Sequence, residues 1–318
     1  MNLENIKNVV GEKINGVTLN IDLLNSCCLA CPSCAVGSIA TPRKGIMSFD
    51  TFRRILDKAQ GEMKIRRVMC FVYSDPCMHK DLHLFIQELT DRNLESWIST
   101  MLQQTNCDFE KVLAAGPSEF RVSFPGWEKM SYFQSSKADP ERFDRKLEIV
   151  GRLPRNPRTT ATLFFQRYKD NGHEVPKAQE VADRYGLKLV VIPAIYMVLE
   201  NYVEQTYSAA DHELITHLFE TPEEGAATMK ETKACQLWKQ ITLDANADIY
   251  LCQLLYRDRF KIGNYFNLSR KQIRKIMETH PFCSRCMSMK GNQLQNCYSP
   301  PAIADDPSFE ANKKRRLS

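Results

Sequence analysis

Three cysteines near the start of the chain constrain its fold and chemistry most. Cys27, Cys31 and Cys34 have C-x3-C-x2-C spacing and directly follow the stretch Val17 to Leu23, which predicts a β-strand. Three thiolates on one short loop can hold three irons of a 4Fe–4S cluster and leave the fourth iron open to a small molecule. Structural zinc is the alternative, but zinc takes four ligands, often including histidine, and the first histidine is His79.

Composition is that of a globular protein. The chain has 318 residues, 43% of them hydrophobic and 25% charged, which fits one large domain plus a small one. Twelve cysteines without a signal peptide indicate metal and thiol chemistry in the cytoplasm. No apolar run reaches the roughly 20 residues of a membrane span, and nothing resembles a nucleic-acid-binding module, so neither a membrane nor nucleic acid is an expected partner.

Strand and helix patterns alternate over the first two hundred residues. The predicted strands are Val17 to Leu23, Arg67 to Tyr73, Glu95 to Thr100, Phe120 to Phe124, Thr159 to Arg167 and Lys188 to Pro193. The predicted helices are Ser48 to Gln60, Lys80 to Arg92, Pro140 to Arg152 and Pro176 to Tyr185. Repeated βα units predict an α/β fold with a parallel sheet, and the cysteine loop then lies at the carboxyl ends of its strands.

The cysteine loop resembles the signature of the radical S-adenosylmethionine (radical SAM) superfamily. The six βα units are similar to the partial (β/α)6 barrel of that family. The resemblance implies that the open iron binds SAM and that the cluster cleaves it to a 5′-deoxyadenosyl radical, which abstracts hydrogen from carbon. It also implies a reducing partner such as flavodoxin or ferredoxin.

The resemblance extends to candidate contacts with SAM. The turn Tyr73-Ser74-Asp75-Pro76 stands where the family commonly has Gly-Gly-Glu-Pro, whose backbone groups hold the amino group of SAM. Both glycines are replaced, and an ordinary Asp-Pro turn is the alternative interpretation. Ser123 on the fourth strand and Arg167 at the end of the fifth are further candidates, the arginine because it can pair with a carboxylate.

A second cysteine set lies in the last third of the chain. Its members, with C-x16-C-x30-C-x2-C spacing, are Cys235, Cys252, Cys283 and Cys286. A β-hairpin is predicted between the first two, with Asn246 in a left-handed turn conformation, and a helix from Ser269 to Thr279 precedes the last pair. The arrangement resembles the twitch domain, a short relative of the SPASM domain that binds one auxiliary 4Fe–4S cluster. Four thiolates also suit structural zinc.

The resulting domain prediction has four parts. Residues 1–200 form the radical SAM partial barrel, 201–232 an irregular connecting segment, 233–300 the twitch-like domain with its hairpin and helix, and 301–318 a flexible basic tail. Two 4Fe–4S clusters and SAM are the expected cofactors. Because the first cysteine set begins at residue 27, we expect neither a cobalamin domain nor a leader-peptide-binding domain before the barrel.

The predicted reaction is oxidation or epimerisation of a small polar molecule of sugar or aminoglycoside type. Modification of a ribosomal peptide by epimerisation or crosslinking is the second hypothesis, and a non-catalytic zinc protein the third. Epimerisation needs a thiol that returns a hydrogen atom to the substrate radical. Cys297 is the first candidate, because four other cysteines already complete the second set, and Cys77 is the other.

Overall fold

A nine-stranded sheet forms the centre of the molecule. The computed structural model describes residues 16–31, 34–36, 44–128, 138–218, 221–228 and 234–293. The strands are β1 (Val17–Ile21), β2 (Ile65–Met69), β3 (Glu95–Thr100), β4 (Glu119–Phe124), β5 (Thr160–Arg167), β6 (Lys188–Pro193), β7 (Gln240–Leu243), β8 (Asp248–Tyr250) and β9 (Lys261–Asn264). The first six match the strands predicted from the sequence, with shifts at some ends, so the α/β class is confirmed.

Strand order follows chain order over the first six strands. The sheet runs β6-β5-β4-β3-β2-β1-β7-β8-β9, and neighbours from β1 to β6 are all parallel. Strand β7 pairs parallel to β1, with Thr18 opposite Gln240 and Ile21 opposite Leu243. Strands β8 and β9 then continue antiparallel. The predicted hairpin is therefore present, but it extends the same sheet, and β9 was not predicted.

Helices connect the strands and carry clear start signals. They are α1 (Phe49–Glu62), α2 (Leu82–Asp91), α3 (Phe109–Ala114), α4 (Pro140–Arg152), α5 (Val175–Arg184), α6 (Leu199–Glu204), α7 (Ala209–His217), α8 (Pro222–Thr228), α9 (Arg270–Thr279) and α10 (Pro281–Ser288). Ser48 caps α1 by accepting from the Thr51 N–H, and Asp139 caps α4 by accepting from two N–H groups. Ser269 and Gln272 form a capping box on α9.

The described part of the segment predicted as irregular, residues 201–232, includes most of α6 and all of α7 and α8. Ser208 and Asp211 cap α7 reciprocally, as in a capping box. Asp211 also accepts hydrogen bonds from Tyr196 and Asn201. These polar contacts hold α7 in place. Because α7 depends on polar contacts and buries few apolar residues, its sequence shows little of the apolar periodicity that predicts a helix.

The two faces of the parallel sheet differ in chemistry. Phe124 on β4 stacks on Phe143 of α4 with ring centroids 3.7 Å apart, so this face packs on helices. Arg121 on the opposite face is buried, pairs with Glu119 and lies over the ring of Trp97 at 4.4 Å. We call the side that carries Arg121 the inner face. Its polar and aromatic side chains distinguish it from the apolar core under the helices.

The hairpin turn between β7 and β8 differs from its prediction. Ala247, not Asn246, has the left-handed conformation, with φ +60°. The Asp244 carboxylate accepts hydrogen bonds from the N–H groups of Asn246 and Asp248, at 2.8 and 3.0 Å. The turn thus places its left-handed residue one position later, as in three-residue hairpin loops.

Within the part of the chain that the structure describes, no helix has both the length and the apolar character needed to cross a membrane.

Candidate functional site

The first cysteine set lies on the loop that follows β1. Cys27, Cys31 and Cys34 are half-buried, and the Cys34 N–H donates to the Cys31 carbonyl at 3.0 Å. Asn25 fixes the start of this loop, because its side-chain oxygen accepts from the Ala245 N–H at 2.7 Å. The loop is thereby attached to the β7–β8 turn as well as to β1.

Asp22, the residue after β1, holds the turn that follows β2. Its carboxylate accepts hydrogen bonds from the N–H groups of Val72, Tyr73 and Ser74 and from the Ser74 hydroxyl, at 3.0 to 3.2 Å. In a planar trans peptide the carbonyl points away from the next residue's N–H. The carbonyls of residues 71, 72 and 73 therefore point away from Asp22.

Asp75 ties the same turn to the end of β3. One carboxylate oxygen accepts from the Cys77 N–H at 3.0 Å, and the other accepts from the Thr100 hydroxyl and the Met101 N–H at 2.8 and 3.0 Å. Burial raises the pKa of Asp75 to about 6 and that of Asp22 to about 7. Asp75 thus orders the loops around the turn, and its carboxylate is occupied by protein donors.

Cys77, a predicted hydrogen donor, lies in the short helical turn Pro76–Met78 and has no exposed surface. Burial and a hydrogen bond with Cys107 raise the pKa of its thiol. A hydrogen-atom donor must touch the substrate, so this burial does not favour the role. Cys297 lies outside the described residues, and both roles stay predictions.

Ser123 and Arg167 occupy different sides of the sheet. Ser123 is paired with Phe164 and lies on the inner face of β4 beside Arg121. Arg167 is three residues beyond Phe164, so strand alternation places it on the other side, and its guanidinium packs against Gly172. Both remain predicted contacts for SAM, with the placement favouring Ser123.

The structure gathers the four cysteines of the second set. Cys235 precedes β7, Cys252 follows β8, and Cys283 and Cys286 lie three residues apart on one face of α10. The four thiols act on one another electrostatically, and burial is the main cause that raises the pKa of each. Buried thiols that become thiolates need a cation, so this donor set fits an iron–sulfur cluster or zinc.

Two tyrosines connect the cysteine sets. The Tyr73 hydroxyl donates to the carbonyls of Cys252 and Leu255, at 3.0 and 2.8 Å. The Tyr256 hydroxyl donates to the Asn25 carbonyl at 2.7 Å, and the two rings pack edge to face at 4.8 Å. Cys27 and Cys34 pack against a small buried cluster that contains both tyrosines. We call Tyr73 and Tyr256 the tyrosine bridge.

A cluster of Glu128, His173 and Glu174 also brings ligand atoms together, within 4.8 Å of one another. Glu174 is buried and accepts from the N–H groups of Trp127 and Glu128. Exposed His173 pairs with exposed Glu128 at 2.6 Å. These contacts hold the loop after β4 to residues 173 and 174, which gives the cluster a structural role.

Solved structures share this arrangement of strands and helices. SuiB from Streptococcus suis bound to precursor peptide SuiA is 13% identical with a TM-score of 0.56, covering 89% of this chain and 70% of that chain. Histidine-tagged anSMEcpe with bound S-adenosylmethionine is 14% identical with a TM-score of 0.53, covering 94% and 98%. Native anSMEcpe with S-adenosylmethionine and the Cp18Cys peptide is 12% identical with a TM-score of 0.51, covering 91% and 98%. The chain shares the fold of SuiB and anSMEcpe. No protein-family model and no curated protein matches the sequence.

Sequence reasoning missed the residues that hold the site together. Asp22 falls within the first predicted strand, and its acceptor role depends on a turn fifty residues later. The tyrosine bridge was also missed. Polar residues at the end of the first apolar strand pattern, just before the cysteine motif, are the signal that would have pointed to Asp22 and Asn25.

Proposed function

We propose that this chain is a radical SAM enzyme. Cys27, Cys31 and Cys34 hold a 4Fe–4S cluster, and SAM binds at its open iron with its amino group against the turn of residues 73–76. When bound, the cluster supplies the electron that cleaves the C–S bond of SAM. The fold supports this proposal, since SuiB and anSMEcpe have both been solved with S-adenosylmethionine bound.

The observation that carries the proposal is the Asp22 arrangement beside the cysteine loop. Asp22 binds three consecutive N–H groups, so the carbonyls of residues 71 to 73 face away from it, and Val72 and Tyr73 lie in one cluster with Cys27 and Cys34. Carbonyl oxygens suit an ammonium group. An ordinary Asp-Pro turn does not require a buried carboxylate to hold its backbone in this way.

The decisive experiment removes the first cysteine set. The variant with Cys27, Cys31 and Cys34 all replaced by Ala folds but makes no 5′-deoxyadenosine from SAM under reducing conditions. Cys107→Ala, which removes a half-buried cysteine outside both sets, is the matched control and keeps the activity. Continued SAM cleavage by the triple variant would contradict the assignment of these cysteines as ligands of the SAM-cleaving cluster.

For the second cysteine set we propose an auxiliary 4Fe–4S cluster that accepts an electron when the substrate radical is oxidised. The tyrosine bridge joins this set to the first cysteine loop. A substrate radical that gives up one electron and one proton becomes a ketone or another oxidised product. Zinc at the same four thiols would provide no acceptor.

The substrate that we favour is a small, polar, sugar-like molecule. Where β1 pairs with β7, the Asn20 side-chain amide donates to the side-chain oxygens of Gln240, Thr242 and Gln253, at 2.8 to 3.3 Å. Gln253 directly follows Cys252. Neutral amides and hydroxyls suit the donors and acceptors of a polyol. Comparing cleavage of SAM in the presence of candidate aminoglycosides and peptides tests the choice.

Modification of a peptide is the second candidate. It is favoured by the solved complexes of SuiB and anSMEcpe, each of which contains a peptide. Product formation from peptides alone would replace the sugar proposal without affecting SAM cleavage.

Cys297 separates the two outcomes of hydrogen abstraction. In an epimerisation a thiol returns one hydrogen atom, so D₂O places one deuterium on the product and Cys297→Ala cleaves SAM without giving an epimer. In an oxidation the product loses two hydrogens, carries no deuterium from solvent at carbon, and depends little on Cys297. If Cys297→Ala lowers the iron content, the residue is an auxiliary ligand. Unchanged iron and full activity remove it from the mechanism.

A further inference from the structure

A basic cleft opens between α4 and the loop after β3. It encloses about 510 Å³ and is lined by Gln103, Gln104, Thr105, Arg142, Arg145, Lys146 and Ile149. The lining includes three cations and no acidic residue. Ile149 is 61% exposed, so an apolar side chain lies among the positive charges.

This cleft directly borders the first cysteine loop. The Gln104 N–H hydrogen-bonds to the sulfur of Cys28, which lies between the ligands Cys27 and Cys31. Lys146 lies close enough to act electrostatically on Cys28 and Asp75, and its amino group donates to the Gln103 carbonyl and the Thr105 hydroxyl, at 2.6 and 2.8 Å. The cleft wall is therefore in contact with the first cysteine loop, whose proposed cluster must receive an electron before SAM is cleaved.

The charges of the cleft are available to a partner. Arg142 and Arg145 have side chains that are 47% and 66% exposed, and their acidic neighbours Asp139 and Glu141 lie 3.8 and 3.5 Å away. Exposed pairs of this kind contribute little to stability, so a partner displaces them easily. Arg142 also lies in the first turn of α4, where a positive charge opposes the helix dipole and does not stabilise the helix.

We infer that this cleft is the docking surface for an acidic one-electron carrier protein of the flavodoxin or ferredoxin class. The inference rests on the proposed function, which consumes one electron for each SAM cleaved. In the docked complex the reduced carrier loses one electron and the cluster on the Cys27 loop gains it, and no covalent bond forms or breaks. Positive charges around the cleft attract the acidic carrier, and the exposed side chain of Ile149 provides an apolar contact.

The test reverses two charges of the cleft. In the reconstituted protein, Arg142→Glu with Arg145→Glu should slow cluster reduction by reduced flavodoxin and by reduced ferredoxin at least tenfold at low salt, and should flatten the dependence of the rate on salt. Reduction by dithionite, and the SAM cleavage that it drives, should stay within twofold of the wild type.

The matched control carries the same change of net charge elsewhere. Lys64→Glu with Lys188→Glu alters two exposed lysines at the amino ends of β2 and β6, the opposite edge of the sheet, and should reduce normally with either carrier. Equal carrier rates in the cleft variant and the wild type overturn the inference. So does an equal loss in the control variant, or a wild type that neither carrier reduces. A wild type that dithionite cannot reduce instead overturns the proposed function itself.

Discussion

The Asp22 carboxylate is fully buried, and its described contacts all donate hydrogen bonds to it. Asp22→Asn turns one acceptor into an NH₂ group that faces backbone N–H donors. At pH 8, where Asp22 is ionised, a hydrogen bond to its charged carboxylate is worth about 1.5–3 kcal/mol, so we expect about 2 kcal/mol lower stability and about tenfold weaker SAM binding. Equilibrium binding of SAM measures this, with Asp50→Asn on the exposed first turn of α1 as control. Unchanged affinity in Asp22→Asn would contradict the role given to the turn.

The same residue predicts a dependence of stability on pH. Burial raises the pKa of Asp22 from 3.8 to about 7, so the folded state binds a proton that the unfolded state has released. Its contribution to the free energy of unfolding is fully present below about pH 4 and is lost as pH rises through 7. The wild type should therefore lose about 2 kcal/mol between pH 5 and pH 8. Denaturant titrations should show a smaller loss in Asp22→Asn, and identical slopes would refute the assignment.

Single residues were predictable from the sequence where spacing alone encodes their chemistry. Cys27, Cys31 and Cys34 were found because one loop brings them together. Asp22 was not, because its partners lie on a turn that only the pairing of β1 with β2 brings close. Likewise, nothing in the order of residues shows that Cys77 is buried and hydrogen-bonded to Cys107 and Thr100.

Gly126 lies in the loop after β4, where its lack of a side chain lets Glu174 hold the loop. Its φ is +128°, and a Cβ there would lie 2.6 Å from the Glu174 carboxylate that binds the next two N–H groups. Gly126→Ala should cost about 1–3 kcal/mol, measured by chemical unfolding. Gly61→Ala, on α1 with nothing within 4 Å, should instead stabilise by about 0.5–1 kcal/mol. A loss in both variants, or in neither, would contradict this account.

At the scale of elements, the sequence predicted strands and capped helices better than it predicted connections. The segment Pro140–Arg152 was predicted as a helix and is α4, because its cap, first-turn proline and apolar spacing all agree. Strand β9 has only four residues and two exposed or half-exposed polar ends, so its pattern is too short to recognise. It exists because β8 offers it an antiparallel partner.

The tyrosine bridge joins the first cysteine loop and the turn after β2 to residues 252–256. Tyr73→Phe keeps the ring but removes the hydroxyl that donates to Cys252 and Leu255, which should cost about 1 kcal/mol and speed hydrogen exchange in residues 251–256. Tyr256→Phe removes the bond to Asn25 and should instead speed exchange in the first cysteine loop. If each variant affected both segments equally, the two hydroxyls would have no separate roles.

The parallel βα order of the whole molecule was predictable, because each unit is local in the sequence. The attachment of the last third was not. Strand β7 pairs with β1 across more than two hundred residues, and the register depends on side chains such as Asn20 and Gln240 that contact only after folding. The predicted domain boundary near residue 233 therefore crosses a continuous sheet.

The continuity of the sheet makes metal content a test of the whole molecule. With two 4Fe–4S centres the reconstituted protein should hold about eight irons per chain, and the Cys27, Cys31 and Cys34 triple variant about half of that. Cys283→Ala with Cys286→Ala should lose the other half and, because a tightly bound group stabilises only the folded state, about 4 kcal/mol of stability. Hydrogen exchange should rise most in residues 234–293, and next in β1, which shares its hydrogen bonds with β7.

Cys107→Ala should keep all eight irons. Zinc in place of iron, or loss of all iron from the triple variant, would refute the two-cluster assignment.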